Sequence, residues 1–340
     1  MTPRSALITG ASGQDGWYLI DLLLGKGYQV HAQSRFPAGP DSHRQEVCWY
    51  VGDLTNSKFL ETLVGRARPA EIYNLAAVSR PQLSWGNPLE TAQLNAIVPH
   101  QFCEIVRQFC PEVRFFQASS SEMFGATRSP VQDEDTPCIP NTPYGVAKAY
   151  AHRIVGAYRT QYGLHLSAGI LFNHESPRRP LDFVSQKIAH GVASIALGLQ
   201  QTKELDERGQ PILEAGRIHL GNIDSQRDFG FAGDCVEAMH AIVQHNVAAD
   251  YVIGTGETHS IAEFCEVAFR QIGRDWREHV ISRPDLVRKT DDDTRANPSK
   301  LKSVLGFNFK TSFSELVAMM VQARIALLQK SFEAPAKSKP

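Results

Sequence analysis

The sequence predicts an α/β fold: a doubly wound parallel sheet with a smaller C-terminal α/β lobe. Three observations carry that expectation. A glycine-rich turn separates the first apolar run from an amphipathic stretch, strand-like and helix-like segments alternate as far as residue 118, and 340 residues with 42% hydrophobic content can bury a core in two lobes.

Residues 6–9 read as a strand, 17–24 as a helix and 29–33 as a second strand, the opening βαβ unit of a Rossmann-type domain. Gly10, Gly13 and Gly16 carry the turn between the first two. Without a Cβ, a glycine backbone turns tightly and approaches a pyrophosphate closely, and the helix N-terminus that follows favours its charge. The second strand ends at Ser34 and Arg35, where an acid would bind ribose hydroxyls and repel a 2′-phosphate. A guanidinium pairs with that phosphate instead, so NADP rather than NAD is the expected cofactor, although a solvated surface arginine would look the same in sequence. The third strand, 49–53, ends at Asp53 and Leu54, and Asp53 is a candidate for the adenine edge.

A helix over 57–66, an apolar strand over 71–77, a helix over 88–109 and a strand over 113–118 continue the alternation. Strand C-terminal ends in such a sheet face the ligand crevice. That places Leu75, Ala76, Ala77, Ser79 and the serines after Ala118 beside the cofactor. The expected division is a nucleotide-binding domain over 1–170 with a later contribution from 218–255, a substrate-binding lobe over 171–217 and 256–330, and a frayed tail over 331–340.

Bulk composition narrows the function classes. A net charge of −1 gives no electrostatic footprint for nucleic acid or a membrane surface. Six cysteines lie scattered without metal-ligand spacing, so reduced thiols and no metal site are expected. The start lacks a charged and apolar leader, and no segment is long and apolar enough to span a bilayer. A cytoplasmic location is the expectation.

The chemistry concentrates in two segments, Gln117 to Gly125 and Thr142 to Lys148. Tyr144 and Lys148 lie four apart, so on a helix they share a face one turn apart. A nearby ammonium lowers a phenol's pKa and lets phenolate take a proton from a sugar hydroxyl. The pair is a weak signal alone and a strong one behind a glycine loop and a strand-end serine.

On these residues the chain resembles the extended short-chain dehydrogenase/reductase family to about residue 328. Within that family it is similar to the GDP-mannose 4,6-dehydratases: the loop Gly13, Gln14, Asp15, Gly16 and the strings 170–179, 183–188, 220–230 and 236–239 carry the likeness. Glu122 stands where an epimerase has a small residue. The resemblance implies that Tyr144, assisted by Lys148, deprotonates the C4 hydroxyl while NADP takes the C4 hydride. Glu122 then removes the C5 proton, water leaves C6, the hydride returns to C6, and Ser120 hydrogen-bonds the reacting oxygen. It also implies that Asn173 and Arg227 hold the substrate diphosphate with Arg288 as a further cation. Lys187 would meet the guanine carbonyl, Asp291 the ribose hydroxyls, and His174 and Arg179 the cofactor side.

Several segments depart from the family pattern. Residues 36–44 replace a longer loop that supports a tetramer, leaving homodimer and homotetramer both open. Val78 stands for a glutamine near the sugar, which removes an amide from the site. Residues 200–216 form a longer and more polar connection, read either as a surface loop or as part of a reshaped nucleotide pocket. The expected substrate is a nucleotide sugar, foremost GDP-mannose, with a GDP-heptose or another GDP-hexose as the alternative. Two further readings compete, a nucleotide-sugar decarboxylase or epimerase and a non-enzymatic NADP sensor. The segment 171–177 argues against the decarboxylase, and the retained Tyr144 and Lys148 against the sensor.

Overall fold

The computed structural model of the protein describes residues 4–37, 46–127, 129–206, 209–286 and 294–333. Two compact units form, one from residues 1–172, 232–256 and 294–309 and the other from 173–231, 257–293 and 310–340. The chain returns to the first unit at Ala232 rather than near residue 218, because Arg217–Leu220 pairs within a small sheet of the second unit.

The first unit is built on β1 (Ser5–Thr9), β2 (Gln29–Ser34), β3 (Val47–Val51), β4 (Glu71–Asn74), β5 (Arg114–Ser120), β6 (Leu166–Leu171) and a last strand, Asp250–Ile253. Their order is Asp250–Ile253, β6, β5, β4, β1, β2, β3, and all pairings are parallel. Parallel strands need helical crossovers, so both faces are covered and most of the strand side chains are buried. Helix α1 (Gln14–Gly25) and the helix Ala232–Gln244 bury Leu19, Leu23, Val236 and Met239 on one face. Helices α2 (Ser57–Ala67), α4 (Val98–Phe109) and α5 (Pro143–Tyr162) bury Leu60, Val64, Phe102, Val106 and Val155 on the other.

Local chemistry sets the element ends. Asn56 caps α2 by accepting from Phe59 N, and Thr142 caps α5 by accepting from Gly145 N, with Pro143 at the first helical position. The expected single helix over 88–109 is α3 (Pro88–Ala92), a π-turn at Gln93–Ile97 and α4. Buried Asn95 explains the wide turn. Its amide accepts from Val78 N at 2.9 Å and donates to Val78 O at 3.0 Å, clamping the segment that follows β4. β4 stops at Asn74, three residues short of the expected end, because Leu75 N and Ala76 N turn to the Thr9 hydroxyl instead of a neighbouring strand. β5 runs on to Ser120, where Ser119 and Ser120 still pair with Ile170 and Leu171.

In the second unit, helices Val184–Ala196, Ile261–Arg270 and Phe313–Glu333 enclose Ile188, Val192, Phe264, Phe269, Val317 and Met320. Arg217–Leu220 lies parallel to Val280–Ser282 and antiparallel to Leu213–Glu214. The long 200–216 connection therefore supplies an edge strand, and its Ile212 and Leu213 are buried. That settles the two readings of this segment in part: it is no mere surface loop.

At the opposite end of the first unit's sheet from the glycine loop, fully buried Glu71 at the start of β4 gathers four donors. They are Arg4 at 2.7 Å, Tyr28 at 3.0 Å, Tyr73 at 2.7 Å and Gln244 at 3.0 Å. Burial and the adjacent carboxylate push the Tyr28 phenol up to about 12 and Tyr73 well above its ordinary value. Glu71→Leu removes the acceptor of the buried Tyr73 phenol and the ionic partner of Arg4, and we expect a loss of about 2 kcal/mol in urea unfolding. A variant of wild-type stability would show that the cluster contributes nothing.

Candidate functional site

The glycine loop follows from β1. Gly10 has φ +64°, and a Cβ there would sit 2.8 Å from Ala76 Cα, so the position requires glycine. Gly13 is the N-cap of α1 and makes no side-chain cap bond, and Gly16 is buried in the first turn. Buried Gln33 braces the loop, accepting from Gly10 N at 3.2 Å and donating to Gly52 O at 2.8 Å. A close-approach cradle that a Cβ would fill, opening on a helix N-terminus, fits a dinucleotide pyrophosphate. Gln14 donates to Asp15 Oδ1, and the Asp15 charge favours the protonated form of Lys148.

The strand ends beside this loop differ in what they offer. Arg35 is more than half exposed, lies 3.3 Å from an equally exposed Glu90 and stacks over Phe36 at 5.2 Å. So exposed a pair is worth little. Asp53 lies past the end of β3 in a turn, its Oδ1 accepting from Thr55 N and Oγ1. Leu54 belongs to the core, so anything it offers a ligand comes from its backbone. Leu75, Ala76 and Ala77 are half-buried after β4, and Ser79 is exposed.

Tyr144 and Lys148 occupy the first two turns of α5. The phenol-bearing residue is anchored through its backbone, which donates to the buried Ser84 hydroxyl at 3.2 Å. Lys148 Nζ stands 5.8 Å from the Tyr144 ring and donates to Ala118 O at 2.8 Å. Burial lowers the ammonium from 10.5 to about 8, against the pull of Asp15. Ser120, 8% exposed, caps the short turn Ser121–Met123 by accepting from Glu122 N at 3.3 Å. A Cβ on Gly145 would lie 2.5 Å from Glu122 O, so glycine at that position lets the start of α5 close against the Glu122 turn. Ser120, Glu122, Tyr144 and Lys148 are thus brought together by β5 and α5, with Glu122 exposed and the other three buried.

In the second unit, Asn173 O accepts from Gly230 N, and His174 pairs with Gly230 in a short parallel ladder. Arg179 is held by Glu175 at 3.1 Å and lies 3.6 Å over the Phe183 ring. Lys187 is nearly buried in the helix Val184–Ala196, and Arg227 sits on a short ladder with His259. Arg288 and Asp291 lie outside the described residues, as does most of the 36–44 segment.

Sequence reasoning missed Gln33, Ser84 and Asn95. Each is a buried polar side chain bonded to the backbone of the site, and a polar residue inside an otherwise apolar strand or helix face was the available signal.

A family model described as GDP-mannose 4,6 dehydratase matches residues 7–320. The chain belongs to that family. It is 38% identical to GDP-mannose 4,6 dehydratase 1 of Arabidopsis thaliana, over 96% of this chain and 92% of that protein. It is 37% identical to the human GDP-mannose 4,6 dehydratase, over 96% of this chain and 93% of the other. The fold matches dTDP-glucose 4,6-dehydratase of Bacillus anthracis with a TM-score of 0.79 at 20% identity, over 97% of this chain and 98% of that one. In this member of the family, among the described residues, no helix is long and apolar enough to cross a membrane.

The lowered Lys148 value carries a stability consequence. Below pH 8 folded and unfolded chains both hold the proton, and the full cost of a buried ammonium is present. Between pH 8 and 10.5 the folded chain releases it first, so this contribution to stability rises with pH. We expect Lys148→Met to be more stable than the parent at pH 7 by up to about 3 kcal/mol, the gap closing toward pH 10. Unfolding curves at pH 7, 9 and 10 check this; a variant less stable at pH 7 contradicts it.

Proposed function

We propose that the protein is a hydro-lyase that converts GDP-mannose to its GDP-4-keto-6-deoxy derivative with NADP as a resident cofactor. The observation that carries the reading is the placement of a solvent-facing carboxylate, Glu122, on a turn capped by Ser120 and pressed against the helix of Tyr144 and Lys148. Membership of the GDP-mannose 4,6-dehydratase family supports the choice of substrate.

The chemistry that a bound nicotinamide would supply is reversible hydride transfer, from C4 of the sugar at the start of the reaction and back to C6 at its end. The chain's own groups do the proton work. The Lys148 ammonium, fixed on the Ala118 carbonyl, favours the phenolate of Tyr144, which takes the proton from the C4 oxygen. The resulting ketone acidifies the C5 hydrogen. Glu122 removes that proton and delivers it to the departing C6 hydroxyl, which leaves as water; as the hydrogen returns at C6, C5 takes up a proton, which balances the one Tyr144 holds from the C4 oxygen. Ser120 donates to the reacting oxygen and holds the Glu122 turn at once.

Arg35 is assigned to the 2′-phosphate, which supports NADP over NAD, and Asp53 to the adenine edge through its second carboxylate oxygen. Gly10, Gly13, Gln14, Asp15 and Gly16 hold the pyrophosphate side, with Leu54, Leu75, Ala76, Ala77 and Ser79 along the nucleoside and nicotinamide. Asn173, Arg227 and Arg288 are assigned to the substrate diphosphate, Lys187 and Asp291 to guanosine, and His174 and Arg179 to the cofactor side. Arg179 is already compensated by Glu175, which suits a residue that shapes a site more than one that draws an anion. A homodimer or homotetramer acting in the cytoplasm completes the proposal; the six free thiols agree with that compartment.

Incubation of purified protein with NADP and a panel of nucleotide sugars, read by mass spectrometry, is expected to show loss of water from GDP-mannose without net NADPH. Water loss from uridine or thymidine sugars alone would overturn the base assignment. Glu122→Gln is expected to slow dehydration by about 10²- to 10⁴-fold while oxidation at C4 persists. An unaltered rate would remove Glu122 from the reaction.

A further inference from the structure

Parallel strands covered on both faces are expected to be apolar. Yet Thr9 and Asn74, the last residues of β1 and β4, and Gln117, in the middle of β5, stand at one level, none more than 1% exposed. The register sets Thr9 beside Asn74 and Asn74 beside Gln117, so the three side chains stand in a row across the sheet.

Their hydrogen bonds run one way. Leu75 N and Ala76 N both donate to Thr9 Oγ1 at 3.2 Å, which turns the hydroxyl proton to Asn74 Oδ1 at 2.7 Å. The Asn74 amide must then present Nδ2 to Gln117 Oε1, at 2.8 Å, and Gln117 presents Nε2 to Ala118 O, at 2.9 Å. The row ends on the carbonyl that receives Lys148 Nζ at 2.8 Å. It begins at the Leu75–Ala76 turn, the backbone that Gly10 approaches so closely that a Cβ would clash.

An apolar row would need no partners, and a polar row is tolerated only when every member is satisfied. We propose that Thr9, Asn74 and Gln117 are positioning residues for Lys148: the row sets an amide donor on the carbonyl that holds the ammonium, fixing where Nζ sits and weakening its hold on its proton. The inference rests on the proposed role of Lys148 in the reaction. Two donors on one oxygen turn their positive ends toward each other, which disfavours the ammonium and adds to the effect of burial. Asp15 at the start of α1 opposes both, and Tyr144, one turn back, is a further titratable group beside Lys148.

The double variant Asn74→Leu/Gln117→Met removes both amides together, so neither is left stranded. Two readouts apply. In ligand-free protein with ¹³C-labelled lysine, the Lys148 resonance, assigned by its loss in Lys148→Met, is expected to titrate at least about half a unit higher than in the parent. In the dehydration assay, kcat is expected to fall about tenfold with KM for the nucleotide sugar within about twofold. A titration midpoint that stays or falls, or a kcat that does not change, overturns the proposal.

Should the double variant fail to fold, Thr9→Ser and Thr9→Val carry the test. The serine keeps the hydroxyl and is expected to retain the parental titration and kcat, whereas the isosteric valine moves both; equal behaviour of the two overturns the proposal. The titration needs no substrate. A parent that dehydrates nothing therefore defeats the functional reading and leaves the row to be judged by Lys148 alone.

Discussion

The hydrogen bond from Lys148 Nζ to the Ala118 carbonyl is the interaction on which the rest of the site depends. It buries an ammonium against the sheet, at a cost in stability, and it locks the second turn of α5 onto β5. Tyr144 is carried one turn back on the same face, its own amide held by Ser84, so the phenol and the ammonium have a fixed separation. Moving either element would dissolve the pairing. The N-cap by Thr142 and the close passage of Gly145 along Glu122 O are what let the helix start at that point.

The same end of the sheet gathers everything else that the first unit contributes. Gly10 turns under Ala76, Gln33 ties the loop to the end of β3, and Asn95 clamps Val78. These are contacts that polar side chains make to the backbone, and they explain how short loops stay in place at the C-terminal ends of the strands. The opposite end shows the contrasting use of polarity, where Glu71 collects two phenols, a guanidinium and an amide. One cluster stabilises; the other positions.

Much of this was legible in the amino-acid sequence because it depends on local pattern. The glycine spacing, the alternation of strands and helices and the four-residue interval from Tyr144 to Lys148 each reduce to geometry within one element. What escaped depends on register. That Thr9, Asn74 and Gln117 share a level, or that the chain leaves β4 early because Thr9 takes two amides, follows from strand pairing that no local signal encodes. The π-turn at Gln93–Ile97 is invisible for the same reason, since Asn95 earns its place only by reaching Val78. The 200–216 segment read as polar, while its buried Ile212 and Leu213 were diluted by charged neighbours.

The central claim is that one resident cofactor lends and recovers a hydrogen while Tyr144, Lys148 and Glu122 move the protons. GDP-mannose deuterated at C4, incubated with the protein and unlabelled NADP, tests this most directly. The account predicts a 4-keto-6-deoxy product whose C6 carries the deuterium, with none appearing in free NADPH. Product with an unlabelled C6, or deuterium accumulating in the cofactor pool, would contradict it.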